Sequence, residues 1–133
     1  MESNPGESTL TVEAAQRAAE AACNALQQGL ETLGLDAGPH GVAIGGPAEL
    51  SFRTERDSVT GAVGWVGEWR NPRGGRIGQF ILRADGGLYA EYDILRPHPS
   101  RAGWFVEALE AWGRVERITT EPRLLPIPSE AEP

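Results

Sequence analysis

The chain has 133 residues, enough for one domain that buries roughly two thirds of its unfolded surface without disulfide or metal staples. Its formal charge of −7 argues against nucleic acid and anionic membranes as partners, because phosphate binding rests on Lys and Arg neutralising the backbone and releasing counterions. All 12 basic residues are Arg, which excludes a Schiff-base lysine, a pyridoxal-phosphate anchor and a P-loop lysine within this chain.

Other chemistries are limited in the same way. The single cysteine, Cys23, cannot form an intrachain disulfide or a Cys-x-x-Cys pair, which fits a reducing compartment. The two histidines, His40 and His98, cannot supply a three-histidine zinc site, and their spacing matches no zinc motif. No stretch follows the EF-hand pattern, so a calcium site built from the 19 acidic residues ranks last among the readings. No cofactor and no metal is expected. The acidic, polar start and the lack of a long apolar run make a cytoplasmic protein the expectation.

Residues 1–10 are polar and carry Pro5 and Gly6, and read as a leader outside the fold. From Thr11 to Leu33 the pattern is helical: Val12, Ala15, Ala19, Ala22, Leu26, Leu30 and Leu33 recur every three or four residues opposite a polar side. Thr11 suits the N-cap and Gly34 the stop. Cys23, on the flank of this stripe, reads as a small packing residue. The Gly/Pro-rich segment 36–47 is a connection and not a phosphate loop, since a helix precedes it and a strand follows. His40 within it reads as a solvated loop residue.

The next 50 residues alternate as strands do. Leu50, Phe52 and Thr54 alternate with polar neighbours; Val63, Trp65 and Trp69 share a face of a second strand; strands at 76–83 and 88–95 are joined through Ala84-Asp85-Gly86-Gly87, with Asp-Gly as a favoured tight turn. A four-residue turn there groups Ile77 and Ile81 with Leu88, Ala90, Tyr92 and Ile94, and leaves Phe80, Leu82, Tyr89 and Leu95 on the other face. With apolar residues on both sides, both faces need cover. The candidates for the second face are a sister subunit, another protein, or the chain's own segment Leu124-Leu125-Pro126-Ile127-Pro128.

After Arg96-Pro97-His98-Pro99, Ser100 can cap a helix ending at Trp112 and Gly113, with Phe105, Ala108, Leu109 and Trp112 as its buried side and Glu107 and Glu110 in solvent. A last strand, 114–121, ends at Pro122, and residues 122–133 read as a Pro-rich tail. The expected fold is therefore α+β: a single domain over 11–121, in the order α-β-β-β-β-α-β, with a long N-terminal and a short second helix on one face of an antiparallel sheet.

Three groups of residues are candidates for function. Glu91 and Asp93, two apart on a strand, share a face and precede His98; carboxylate with imidazole suits general acid–base catalysis or a weak divalent-metal site. The loop Trp69-Arg70-Asn71-Pro72-Arg73-Gly74-Gly75-Arg76 gathers Arg70, Arg73 and Arg76, whose guanidinium forks suit carboxylates or phosphates, or serve solubility alone. The aromatics Trp65, Trp69, Trp104, Trp112, Tyr89 and Tyr92 can anchor an interface or simply fill the core; Trp112 is expected buried and Trp69 partly exposed. Together with the exclusions, these favour a non-catalytic accessory or interaction protein. It is expected to form a homodimer, bind another protein, or both, through the second sheet face, with Trp69, Arg70, Arg73, Arg76, Phe80, Leu82 and Tyr89 as contacts. The alternative is a small ligand-binding domain or enzyme with a pocket at Glu91, Asp93 and His98.

Overall fold

The computed structural model describes residues 10–39 and 41–127, so the expectations for His40, for residues 1–9 of the leader 1–10 and for residues 128–133 of the tail lie outside the described residues, while Leu10 packs against the core. The fold is α+β. Helix α1 (Val12–Leu33) is followed by a short 3-10 turn (Pro47–Glu49) and six strands: β1 (Ser51–Arg56), β2 (Val63–Arg70), β3 (Arg76–Leu82), β4 (Leu88–Pro97), β5 (Trp104–Arg114) and β6 (Arg117–Pro126). The strands form one antiparallel sheet in sequential order, a meander with β1 and β6 at its edges.

The helix forms where the apolar spacing places it. Thr11 caps it, its Oγ1 accepting the Ala14 N–H at 3.1 Å. Gly34 ends it in the left-handed region, φ 79°, a conformation that costs other residues more. Its alanines lie close on the sheet while Leu26 and Leu30 are fully buried, each contributing roughly 2 kcal/mol by removal from water. The helix crosses β3 to β6, most heavily β5 and β6. Over β2 the inner face is covered by the connection after α1 and by the residue before its cap: Gly46 O accepts the Trp69 indole N–H at 3.1 Å, and Leu10 O accepts that of Trp65 at 2.8 Å. Gly45 permits this approach, because a Cβ there would lie 2.6 Å from the Trp69 ring.

The expected second helix is a strand. Residues 104–114 are β5, paired with both β4 and β6. The helix-like spacing of Phe105, Ala108, Leu109 and Trp112 is a coincidence of sequence: on the strand Leu109 pairs with buried Tyr92, while Ala108 and Trp112 pair with Asp93 and Tyr89 of the outer face. A bulge between Val106 and Ala108 blurs the strand's own alternation, carrying the inward positions from Val106 to Leu109 and Ala111. The element order is accordingly α-β-β-β-β-β-β.

Register corrects a second expectation. The β3–β4 loop closes with Arg83 N–H to Gly87 O, and Gly86 turns at φ 92°, so three residues, not four, span the turn and Leu82 pairs with Leu88. A shift of one residue exchanges the faces of a strand. Phe80 and Leu82 therefore join Leu88, Ala90 and Tyr92 beneath the helix, where they are buried, while Ile81 lies on the outer face; Ile77, the extra residue of the β2–β3 bulge, packs against the core as its spacing suggests.

The last strand is also longer than the pattern suggests. β6 continues through Pro122 to Pro126, so residues 122–126 belong to the sheet and do not fold back over its second face. The Ile127 N–H bonds to Gly103 O, toward β5. By alternation the backbone positions of Pro126 and Pro122 then point outward, where a missing N–H leaves no ladder bond unmade.

Candidate functional site

With α1 and the connection on the inner side, the outer face of the sheet is uncovered among the described residues. Its centre is built by three neighbouring strands. β4 supplies Tyr89, Glu91 and Asp93, β5 supplies Glu107, Glu110 and Trp112, and β6 supplies Arg123. Direct pairing sets Tyr89 opposite Trp112, Glu91 opposite Glu110, and Ala108 opposite Arg123.

The side chains form one polar network. The Tyr89 hydroxyl lies 2.6 Å from Glu110 Oε2 and 3.1 Å from Glu91 Oε2, so its single proton is presented to two carboxylates. Arg123 donates through Nε to Glu107 Oε1 at 2.6 Å, and through Nη1 to Glu110 Oε2 at 3.2 Å and Glu91 Oε2 at 3.4 Å. Burial first, then the hydrogen bond to Glu110 and the charge of Glu91, hold the Tyr89 phenol well above its usual range. The Asp93 carboxyl is also raised, by burial and by the Glu91 charge, with Arg123 and Arg76 opposing. Three carboxylates thus share one guanidinium, with the Asp93 carboxyl beside them, leaving an acidic surplus on a face whose rim carries the half-exposed Trp112.

The candidate residues from the sequence separate into groups. Glu91 and Asp93 are in or beside this network, but His98 is not brought to them. It lies beyond the β4 bulge between Asp93 and Arg96, and its Nδ1 accepts the Ser100 N–H at 3.2 Å. Among the described residues no group of three or more His, Cys, Asp or Glu side chains is placed to hold a metal ion. A concavity of about 510 Å³ lies at the other end of β3, between the β1–β2 and β3–β4 loops, over Val66 and Ile81. It contains none of the three, and two of its carboxylates serve their own turns: Asp57 Oδ1 accepts the Val59 and Thr60 N–H groups, and Asp85 Oδ1 accepts that of Gly87.

Of the expected contacts, Tyr89 is on the open face, whereas Trp69, Phe80 and Leu82 are not available to a partner. Trp69 is 1% exposed, sealed beneath Gly45 and Gly46 and set edge-on to Tyr92 at 5.4 Å. Trp112, expected in the core, is 37% exposed, because on a strand it alternates with buried Ala111. In the β2–β3 loop, Glu68 takes up two of the arginines, Arg70 at 2.7 Å and Arg76 at 3.7 Å. Arg73, at the loop's tip, is exposed. Cys23 is buried, its thiol donating to Gly45 O at 3.4 Å and pushed up to about 11 by burial and by the charges of Glu49 and Glu20.

Comparison with protein-family models, with curated proteins and with solved structures finds no match. Among the described residues no helix is long and apolar enough to cross a membrane. Sequence reading missed Arg123, Glu107 and Glu110 as site residues. The two glutamates stood on the solvent side of an expected helix, and the arginine stood in an expected tail.

Proposed function

We propose that this chain is a non-catalytic interaction domain whose open sheet face, centred on Glu91, Glu107, Glu110 and Arg123, receives a protein partner carrying basic side chains. The observation that carries this reading is the ordered carboxylate surplus on a broad sheet face, uncovered among the described residues, beside the half-exposed Trp112. An amphipathic indole beside charge-assisted hydrogen bonds is the chemistry that anchors protein interfaces. A catalytic site calls instead for reactive groups converging in a cleft, and the Glu91, Asp93 and His98 set does not converge. A homodimer formed by stacking this face on its own copy is disfavoured, since it would oppose one acidic centre with another.

The test is affinity purification of the full chain from its source organism at low salt, with wild type, Trp112→Ala, Glu91→Lys with Glu110→Lys, and Glu13→Lys on the helix as a control. A basic protein retained by wild type and control but lost from both open-face variants is the expected result. Retention that ignores both variants, or none with wild type, overturns the reading.

A further inference from the structure

We propose that two copies of this chain join edge to edge through β1, antiparallel about a twofold axis at Thr54, doubling the six-stranded sheet into one continuous sheet. The inference is independent of the open-face reading and rests on the two edges of the meander.

The edges are not equivalent. On β6 the outward backbone positions include Pro122 and Pro126, which have no N–H to offer a further strand, so this edge is closed to pairing. On β1 no proline interrupts Ser51–Arg56. The Asp57 N–H bonds to Ala62 O, toward β2; by alternation Phe52, Thr54 and Arg56 direct their N–H and C=O groups outward, away from the sheet. β1 pairs only with β2 among the described residues.

Those outward groups restrict the registers a second copy can take. Only Phe52, Thr54 and Arg56 can form hydrogen-bonded pairs, so even-numbered residues oppose even-numbered ones. Directly opposed residues share a face, which keeps both α1 helices on one side and merges the two open faces. The charges then select among the remaining registers. Arg53 and Glu55 are exposed on the open face, 3.3 Å apart along the strand. Centring the axis on Arg53 opposes Arg53 with itself, and centring it on Glu55 opposes Glu55 with itself. Centring it on Thr54 sets Arg53 against Glu55 of the second copy and Glu55 against its Arg53.

The same register gives the greatest strand overlap. Phe52 opposes Arg56, Thr54 opposes Thr54, and Arg56 opposes Phe52, three pairs that exchange about six ladder hydrogen bonds. The Arg–Glu pairs fall at the intervening positions, where opposed side chains stand closest. The strand Phe52-Arg53-Thr54-Glu55-Arg56 is thus complementary to itself read in reverse.

Sedimentation equilibrium on the full chain tests this over a range of concentrations. The expected species has twice the chain mass of 14.3 kDa. Arg53→Glu or Glu55→Arg alone should weaken it roughly tenfold or more, each reversal acting at both symmetry-related pairs. The double swap, Arg53→Glu with Glu55→Arg, restores it, because opposite charges again face each other. In a second arm, Thr54→Cys should cross-link two copies under mild oxidation, since Cα atoms of a hydrogen-bonded pair lie about 5.5 Å apart, within disulfide reach. Ser51→Cys, far from the axis, should not. A chain that stays monomeric at every concentration overturns the proposal, as does a dimer indifferent to the single reversals or a Ser51→Cys variant that cross-links as readily.

Discussion

Asp93 shows how the acidic centre is tied to stability. Its carboxyl has an ordinary value of 3.8, raised in the fold by burial first and by Glu91 second. An acid raised in this way holds its proton more firmly folded than unfolded. Its contribution is therefore favourable while it is protonated, and is lost as pH rises above the unfolded value and through the folded one. At neutral pH the charged Asp93 opposes folding. Asp93→Asn should accordingly melt higher than wild type at about pH 7 and match it at about pH 3. Thermal unfolding followed by circular dichroism at the two pH values checks this, and a variant that melts lower at neutral pH would contradict it. Tyr89 makes the complementary point: its hydroxyl, shared between Glu91 and Glu110, remains a donor far into the alkaline range and keeps the two carboxylates bridged.

At the scale of elements, the connection between α1 and β1 acts as part of the core. Gly45→Ala would drive a methyl group to 2.6 Å from Trp69 and 2.7 Å from Glu49. It should cost about 1–3 kcal/mol, as overpacking does. Denaturant unfolding with tryptophan fluorescence measures the loss and also reports whether Trp69 has become exposed; an unchanged midpoint would mean that the segment yields freely. The legibility of the elements followed the same physics. The α1 stripe, the caps at Thr11 and Gly34, and the first four strands were readable because each rests on local spacing. β5 was not, since a bulge interrupts its two-residue alternation and Phe105, Ala108, Leu109 and Trp112, which divide between its two faces, happen to fall at helical spacing. The face of Phe80 and Leu82 turned on one residue of loop length, which Asp85-Gly86-Gly87 leaves open. Half of the open-face network was lost with the helix read for β5 and the tail read for the end of β6, because Glu107, Glu110 and Arg123 meet Tyr89 and Glu91 only once β5 and β6 are strands through those residues.

For the whole molecule, the decisive asymmetry is that one helix covers one face of a six-stranded meander. The inner side holds the described core, from Ala15 and Leu26 across to Phe80, Leu88 and Leu109. The outer side keeps its charges in order by hydrogen bonds between strands. The edges divide the remaining roles, with prolines closing β6 and a self-complementary charge pattern on β1. A partner on the open face and a second copy on β1 would therefore occupy separate surfaces, and a dimer joined at β1 would present two acidic centres side by side on one plane.

The position of α1 also bears on how the chain is made. The helix leaves the ribosome before the six described strands, yet β5 and β6, on which it packs most heavily, are the last of these six to follow. Until they emerge, the apolar stripe of Leu26 and Leu30 has no finished surface to cover. Such a stripe invites aggregation or chaperone capture during synthesis. The meander can grow hairpin by hairpin from β1, but the surface that covers most of the helix is complete only with the final hairpin.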